Sequence, residues 1–308
     1  MSDTKAASVP KPTAPLEPLH DVVPTWNHYW NLTHLHMWPT GGDLIWFPSM
    51  WGMLMIAVHA LVHAIACTFA HSAGCIWNDI CDRNFDRQIE RSKTRPIACG
   101  LISVPAALLW LEVHALGYFT ALSYFGRSTV LLGVLVFFTV ALAYPLSKRF
   151  TDWPQVILGI NCACCTLIAW YAVNHTIDWT VVGPLSLGMT CWAVHFDTIY
   201  ASSDKKYDKL IGVRSCALLF GDYVRPILSL FCTGFVACLA YAGYVNRQGP
   251  LYYVFTVGST ALGLLWQLVT TLDYAKDGMT LFKANTIIGY VSVGGLLADY
   301  TYKVVLRI

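Results

Sequence analysis

Apolar runs long enough to cross a bilayer follow one another along most of this 308-residue chain, and they leave room for little besides a membrane-embedded helical bundle. Charge, Pro and Gly divide them into nine expected spans, roughly 43–58, 60–80, 103–124, 129–147, 154–173, 179–200, 223–244, 251–272 and 285–305. In hydrocarbon every backbone N–H and C=O must bond within its own segment, so the spans read as α-helices. Composition agrees, with 56% hydrophobic and only 12% charged residues. No nucleic-acid surface, Gly-rich phosphate loop or Ser-His-Asp set stands out, and a net charge of +2 decides nothing.

Positive charge is strongly one-sided. Loops after the second, fourth, sixth and eighth expected spans hold thirteen Lys and Arg residues, from Arg83 to Lys283, whereas the opposite loops hold Arg127 and Arg247. Cytoplasmic loops carry such an excess, which predicts a cytosolic N terminus. Residues 1–25 contain five prolines, two lysines, no arginine and three acids, so they read as a disordered cytosolic tail ahead of a membrane domain over 26–308. That tail does not have the Arg-rich, acid-poor character of a mitochondrial presequence, which favours the endoplasmic reticulum or Golgi. Cys162, Cys164 and Cys165 lie inside an apolar span and read as small core residues.

Two aspartate-rich stretches end apolar spans about 120 residues apart: Asn78, Asp79, Asp82 and Asp86, then Asp197, Asp204 and Asp208. On a helix Asp79, Asp82 and Asp86 fall at i, i+3 and i+7, one stripe in which three carboxylates repel each other unless a cation lies between them. Hard oxygen donors in this number suit Mg2+, which keeps several waters and commonly joins carboxylates to phosphate oxygens. Basic residues accompany both stretches. Arg87, Arg91 and Arg95 follow the first, Lys205, Lys209 and Arg214 interleave with the second, and Lys148 ends the fourth span. A metal-bound diphosphate needs both signs, whereas a cation pathway has no use for the guanidinium and ammonium groups. Ionisable residues within a membrane are costly and usually mark a site.

At these residues the chain resembles the UbiA family of intramembrane prenyltransferases, through NDICDRNFDRQIERSKTRP (78–96) and DTIYASSDKKYDKLIGVRS (197–215). Between them YPLSKRFTDWPQ (144–155) resembles the branch that prenylates 4-hydroxybenzoate-type aromatic acids. The resemblance implies two similar four-helix halves plus a ninth helix around a central cavity. It also implies Mg2+-dependent transfer of an isoprenyl group from its diphosphate to a phenolic acceptor, with farnesyl the expected donor and meroterpenoid biosynthesis the expected setting. Asp79, Asp82, Asp86, Asp197, Asp204 and Asp208 are then the expected metal ligands. Arg87, Arg91, Arg95, Lys148, Lys205, Lys209 and Arg214 are the expected diphosphate contacts. Asp197, Asp79 and Asn78 are the expected catalytic groups, with Asp197 positioning the phenol or accepting its ring proton. Trp77, Phe85, Tyr144, Trp153, Phe196 and Tyr200 lie near the motifs and could face an allylic cation.

One departure concerns the entrance. Where relatives carry a basic Arg-x-Asp/His-Lys-Pro-x-Gly segment, this chain reads His34-Leu35-His36-Met37-Trp38-Pro39-Thr40-Gly41. A neutral imidazole at His34 would make an acceptor carboxylate less important. Other readings are a ubiquinone-pathway 4-hydroxybenzoate polyprenyltransferase, a terpene cyclase on the same scaffold, and a non-enzymatic transporter.

Overall fold

The computed structural model describes residues 25–34, 57–270 and 272–305. The first expected span, 43–58, lies outside them except for its last two residues, which open α2, and so does the N-terminal tail up to residue 24. Every regular element among the described residues is helical. In chain order these are α1 Trp26–Leu32, α2 Ala57–Asp86, α3 Val104–Ser123, α4 Arg127–Ser147, α5 Pro154–Asn174, α6 Trp179–Ser202, α7 Lys205–Ile211, α8 Cys216–Phe220, α9 Val224–Val245, α10 Tyr252–Val269 and α11 Tyr274–Tyr300. Segments containing α2, α3, α4, α5, α8–α9, α10 and α11 are each long and apolar enough to cross a membrane. The chain is therefore an all-helical integral membrane protein.

Local chemistry sets the helix ends. Ser103 caps α3 by accepting from Ala106 N, Asp178 caps α6 from Thr180 N, and Asp273 caps α11 from Ala275 N. The last of these moves an expectation. The helix expected to begin near 285 begins at Tyr274, because a capped start keeps Lys276, Asp277 and Lys283 within it. Likewise α2 does not stop at residue 80 but runs through the whole first aspartate stretch. The second stretch breaks: α6 ends at Ser202 and α7 begins at Lys205, leaving Asp204 at its N-cap. Two membrane helices also change pitch, with π-helical turns over Phe137–Ala141 in α4 and Tyr252–Gly258 in α10.

The two largest of the four buried apolar clusters among the described residues define two halves that share α5. One cluster joins α2, α3, α4 and α5 through Ala66, Ala73, Tyr118, Leu122, Phe137 and Ile168. The other joins α5, α6, α9, α10 and α11 through Cys162, Met189, Trp192, Phe235, Leu264 and Ile288. The two meet where α5 crosses α6, and there the backbones nearly touch. A Cβ at Gly159 would stand 2.8 Å from the Thr190 Cα. In the second half a buried polar network, His195 Nε2 to Gln267 Oε1 at 2.7 Å and Trp192 Nε1 to Asn285 Oδ1 at 3.0 Å, ties α6 to α10 and α11 just before Asp197. Between the halves lies a cavity that opens toward the ends of α2 and α6.

Candidate active site

All six aspartates line this cavity, Asp79, Asp82 and Asp86 from α2, Asp197 from α6, Asp204 from the α6–α7 break and Asp208 from α7. A continuous helix through Asp86 puts the first three on one face. They are buried and met by cations from two loops. Arg95 NH1 stands 3.0 Å from Asp79 Oδ1 and 3.0 Å from Asp86 Oδ2, bridging two turns of α2. Lys148 Nζ lies 2.8 Å from Asp82 Oδ2 and 3.1 Å from Asn78 Oδ1. Across the opening Arg91 pairs with Asp204 and donates to Tyr200 OH at 2.7 Å. Tyr144 OH donates to Asp197 Oδ2 at 3.2 Å, and His34 Nε2 lies 3.3 Å from Asp79 Oδ2.

Burial works against the charged forms of Arg95 and Lys148. Asp79 and Asp86 outweigh it for Arg95, Asp82 and Tyr144 for Lys148, and both stay well above their ordinary pKa. Asp208 goes the other way. Burial first, then the charge of Asp204, pushes its carboxyl up to about 7, so it gains from any added cation.

The donor set fits Mg2+. Asp82 Oδ1 is buried without a hydrogen-bond partner, beside five further carboxylates on the same cavity. Among the described residues no three His, Cys, Asp or Glu groups stand close enough to enclose an ion alone. Magnesium does not need such a cage, since it commonly takes one or two carboxylates and fills its shell with water and phosphate oxygens.

Three expected diphosphate contacts are not on the cavity. Arg87 Nε donates to Ala98 O at 2.7 Å, which folds the loop after α2. Lys205 Nζ reaches Gly221 O at 3.1 Å, and Lys209 is exposed on α7. A seven-residue helix cannot turn all its lysines inward while burying Asp208. Arg91, Arg95, Lys148 and Arg214 do line the cavity. Of the aromatics, Phe85, Tyr144, Phe196 and Tyr200 line it. Trp77 instead donates to Leu142 O at 2.9 Å, and Trp153 packs against Phe220. His59 and His63 pack edge-on to Tyr124 and Phe125 at the other end of α2.

Below the aspartates the wall turns apolar, with Ala70, Tyr118, Val136, Phe137, Leu158 and Cys165, and the cavity volume is about 330 Å³. It also holds groups that the motif reading passed over, His71 and Cys75 on α2 and Met279 and Phe282 on α11, together with two α5 residues legible in the sequence: Gln155, which ends the 144–155 block, and Asn161, a polar amide within the fifth expected span that could equally have bonded a neighbouring helix. His71, Cys75 and Asp79 are spaced i, i+4, i+8, so helical periodicity from the motif could have found the first two.

Residues 45–287 match the UbiA prenyltransferase family. The chain belongs to the UbiA prenyltransferase family. Among UbiA relatives, it is 38% identical over 279 residues to the UbiA prenyltransferase claS of Ampulloclitocybe clavipes, covering 86% of this chain and 88% of the relative. It is 35% identical over 292 residues to the mitochondrial 4-hydroxybenzoate polyprenyltransferase of Schizosaccharomyces pombe, covering 90% and 81%. In three dimensions the UbiA fold recurs in the apo UbiA homolog from Aeropyrum pernix K1, with TM-score 0.71 at 22% identity over 83% of this chain and 97% of the other. The Archaeoglobus fulgidus UbiA homolog bound to GPP and Mg2+ superposes with TM-score 0.63 at 14% identity, covering 87% and 99%.

Proposed function

We propose that this UbiA protein is an aromatic prenyltransferase that transfers a short isoprenyl group such as farnesyl from its diphosphate to a carbon of a phenolic acceptor. The product, a phenol carrying a terpene chain, is a meroterpenoid. One observation carries the reading: six carboxylates and four cationic side chains line one cavity whose deeper wall is mostly apolar. The 4-hydroxybenzoate polyprenyltransferase name of a 35% identical relative supports the acceptor class, and the GPP- and Mg2+-bound neighbour supports the donor. A volume of about 330 Å³, near the lower end for ligand pockets, supports a short donor over a long polyprenyl chain.

Asp79, Asp82 and Asp86, with Asp204 and Asp208 opposite, would hold Mg2+, which when bound supplies Lewis-acid stabilisation of the departing diphosphate. Arg95, Lys148, Arg91 and Arg214 offer donors to the diphosphate oxygens, which take the electron pair as the allylic C–O bond breaks. Phe85, Phe196, Tyr200 and Phe282 keep water from the allylic cation and present ring faces to it. A phenol ring carbon then supplies the electrons of the new C–C bond. Asp197, held by the Tyr144 hydroxyl 3.2 Å away, receives the displaced ring proton. Asn78 holds Lys148 toward the diphosphate.

The test is a product assay. Purified protein in nanodiscs is given Mg2+, dimethylallyl, geranyl or farnesyl diphosphate, and a panel of phenols, with products read by mass spectrometry. A C-prenylated phenol with release of diphosphate is expected. A hydrocarbon formed equally without any phenol would make the protein a cyclase, and absence of diphosphate release from every donor would exclude transferase chemistry. The endomembrane setting and cytosolic mouth are likewise proposals. The one-sided Lys and Arg support the orientation, the mitochondrial name of the 35% identical relative stands against the compartment, and subcellular fractionation decides.

A further inference from the structure

The cavity has a second polar layer. His71 lies eight residues before Asp79 on α2, about 12 Å deeper at the helical rise. On α5 the Gln155 side chain bonds Asp197, and Asn161 lies six residues further in, about 9 Å deeper. Both His71 and Asn161 line the cavity. Ala70, Leu158, Val136 and Phe137 line the same cavity. Cys75 Sγ lies 3.5 Å from His71 Nε2. The Asn161 amide, in the middle of a membrane-spanning helix, makes no hydrogen bond among the described residues, although such a group normally finds a partner on a neighbouring helix. A polar group facing an apolar cavity is costly unless something arrives to bond it.

Charge narrows what arrives. The four cationic side chains that line the cavity belong to loops at its mouth, and each already faces an aspartate, Arg214 through Asp152 at 3.8 Å. The stretch 35–56 contains no lysine or arginine. The lower layer therefore offers an amide and an imidazole, good partners for a hydroxyl, carbonyl or ester and poor ones for a carboxylate. A phenol whose hydroxyl edge stands near Tyr144 and Asp197 points its opposite substituent down toward this layer.

We propose that Asn161 and His71 form an acceptor subsite that takes an uncharged hydrogen-bonding substituent, so that the protein prenylates neutral phenols in preference to phenolic acids. This rests on the prenyl-transfer reading, and the test separates the two. In nanodiscs with Mg2+ and farnesyl diphosphate, kcat/KM is measured for 4-hydroxybenzoate, its methyl ester and 4-hydroxybenzaldehyde, with wild type, Asn161→Leu, His71→Leu and Asn161→Gln. Wild type should favour the ester and aldehyde over the acid by at least about tenfold, a 1.4 kcal/mol difference. Asn161→Leu should raise the acceptor KM about tenfold and flatten the ratio, leave the donor KM within twofold, and be partly rescued by Asn161→Gln. Wild-type preference for the acid, or variants that move only the donor KM, overturns the subsite. Binding of the methyl ester is followed in parallel by equilibrium dialysis without donor. Ester binding that Asn161→Leu weakens, in a protein that transfers no prenyl group, would keep the subsite and sink the reaction. Turnover with ester binding insensitive to Asn161→Leu would do the reverse.

Discussion

Lys148 offers a direct way to ask whether the aspartate face is held by the cations seen around it. Its ammonium is about a fifth exposed and lies 2.8 Å from Asp82 Oδ2, while Asp82 Oδ1 has no hydrogen-bond partner. Lys148→Met keeps the stem but leaves a buried carboxylate with neither oxygen neutralised. Breaking a fully buried pair costs about 3–5 kcal/mol. Discounted for the exposure of Lys148, and set against about 1.5–3 kcal/mol for a hydrogen bond to a charged group, the loss should be about 2 kcal/mol. For a chain of this size that lowers the melting temperature by about 5 °C. Lys148→Met/Asp82→Asn, which buries no charge, should recover at least half of it. Mg2+ should likewise stabilise Lys148→Met, where Asp82 is free to bind it, more than the double variant. The assay is intrinsic fluorescence during heating, in nanodiscs, with EDTA or with Mg2+. The reasoning fails if Lys148→Met melts within about 1 °C of wild type, or if Mg2+ stabilises the single and double variants equally.

Asp79→Ala, Asp82→Ala, Asp197→Ala and Asp204→Ala should each lower kcat by about 100-fold or more, some 2.7 kcal/mol of transition-state stabilisation, with membrane insertion unchanged by protease protection. By contrast Lys205→Gln and Lys209→Gln should stay within about threefold of wild type in steady-state kinetics, since neither residue lines the cavity. Asp208 makes metal affinity pH-dependent: with its carboxyl pushed up to about 7, Mg2+ should bind more weakly as pH falls below 7, and Asp208→Asn should flatten that slope in calorimetric titrations. Without metal the sign reverses, because a raised folded-state pKa favours the protonated native form, so the stability contributed by Asp208 falls as pH rises from about 4 to 7. Gly159→Val places atoms 2.8 Å from the Thr190 backbone and should destabilise by about 1–3 kcal/mol, read as a lower melting temperature.

Apolar run length and the i, i+3, i+7 aspartates by themselves determined a membrane-spanning helical bundle with a carboxylate face on one of its helices. These are local properties, set by backbone hydrogen bonding in hydrocarbon and by helical pitch. Ser202 and Ser203 stand where α6 ends before α7, and serine favours such breaks because its hydroxyl competes locally for backbone hydrogen bonds. Only tertiary structure decided which cations face the cavity. Arg87 and Arg95 lie in one loop with the same charge, yet one holds a backbone carbonyl and the other bridges two aspartates, because the fold of that loop, not residue type, sets where each guanidinium ends. The same holds for Asn161. Whether a lone amide in an apolar span packs against a neighbouring helix or faces a cavity depends on how α5 is rotated, and the close crossing of Gly159 on Thr190 is part of what fixes that rotation.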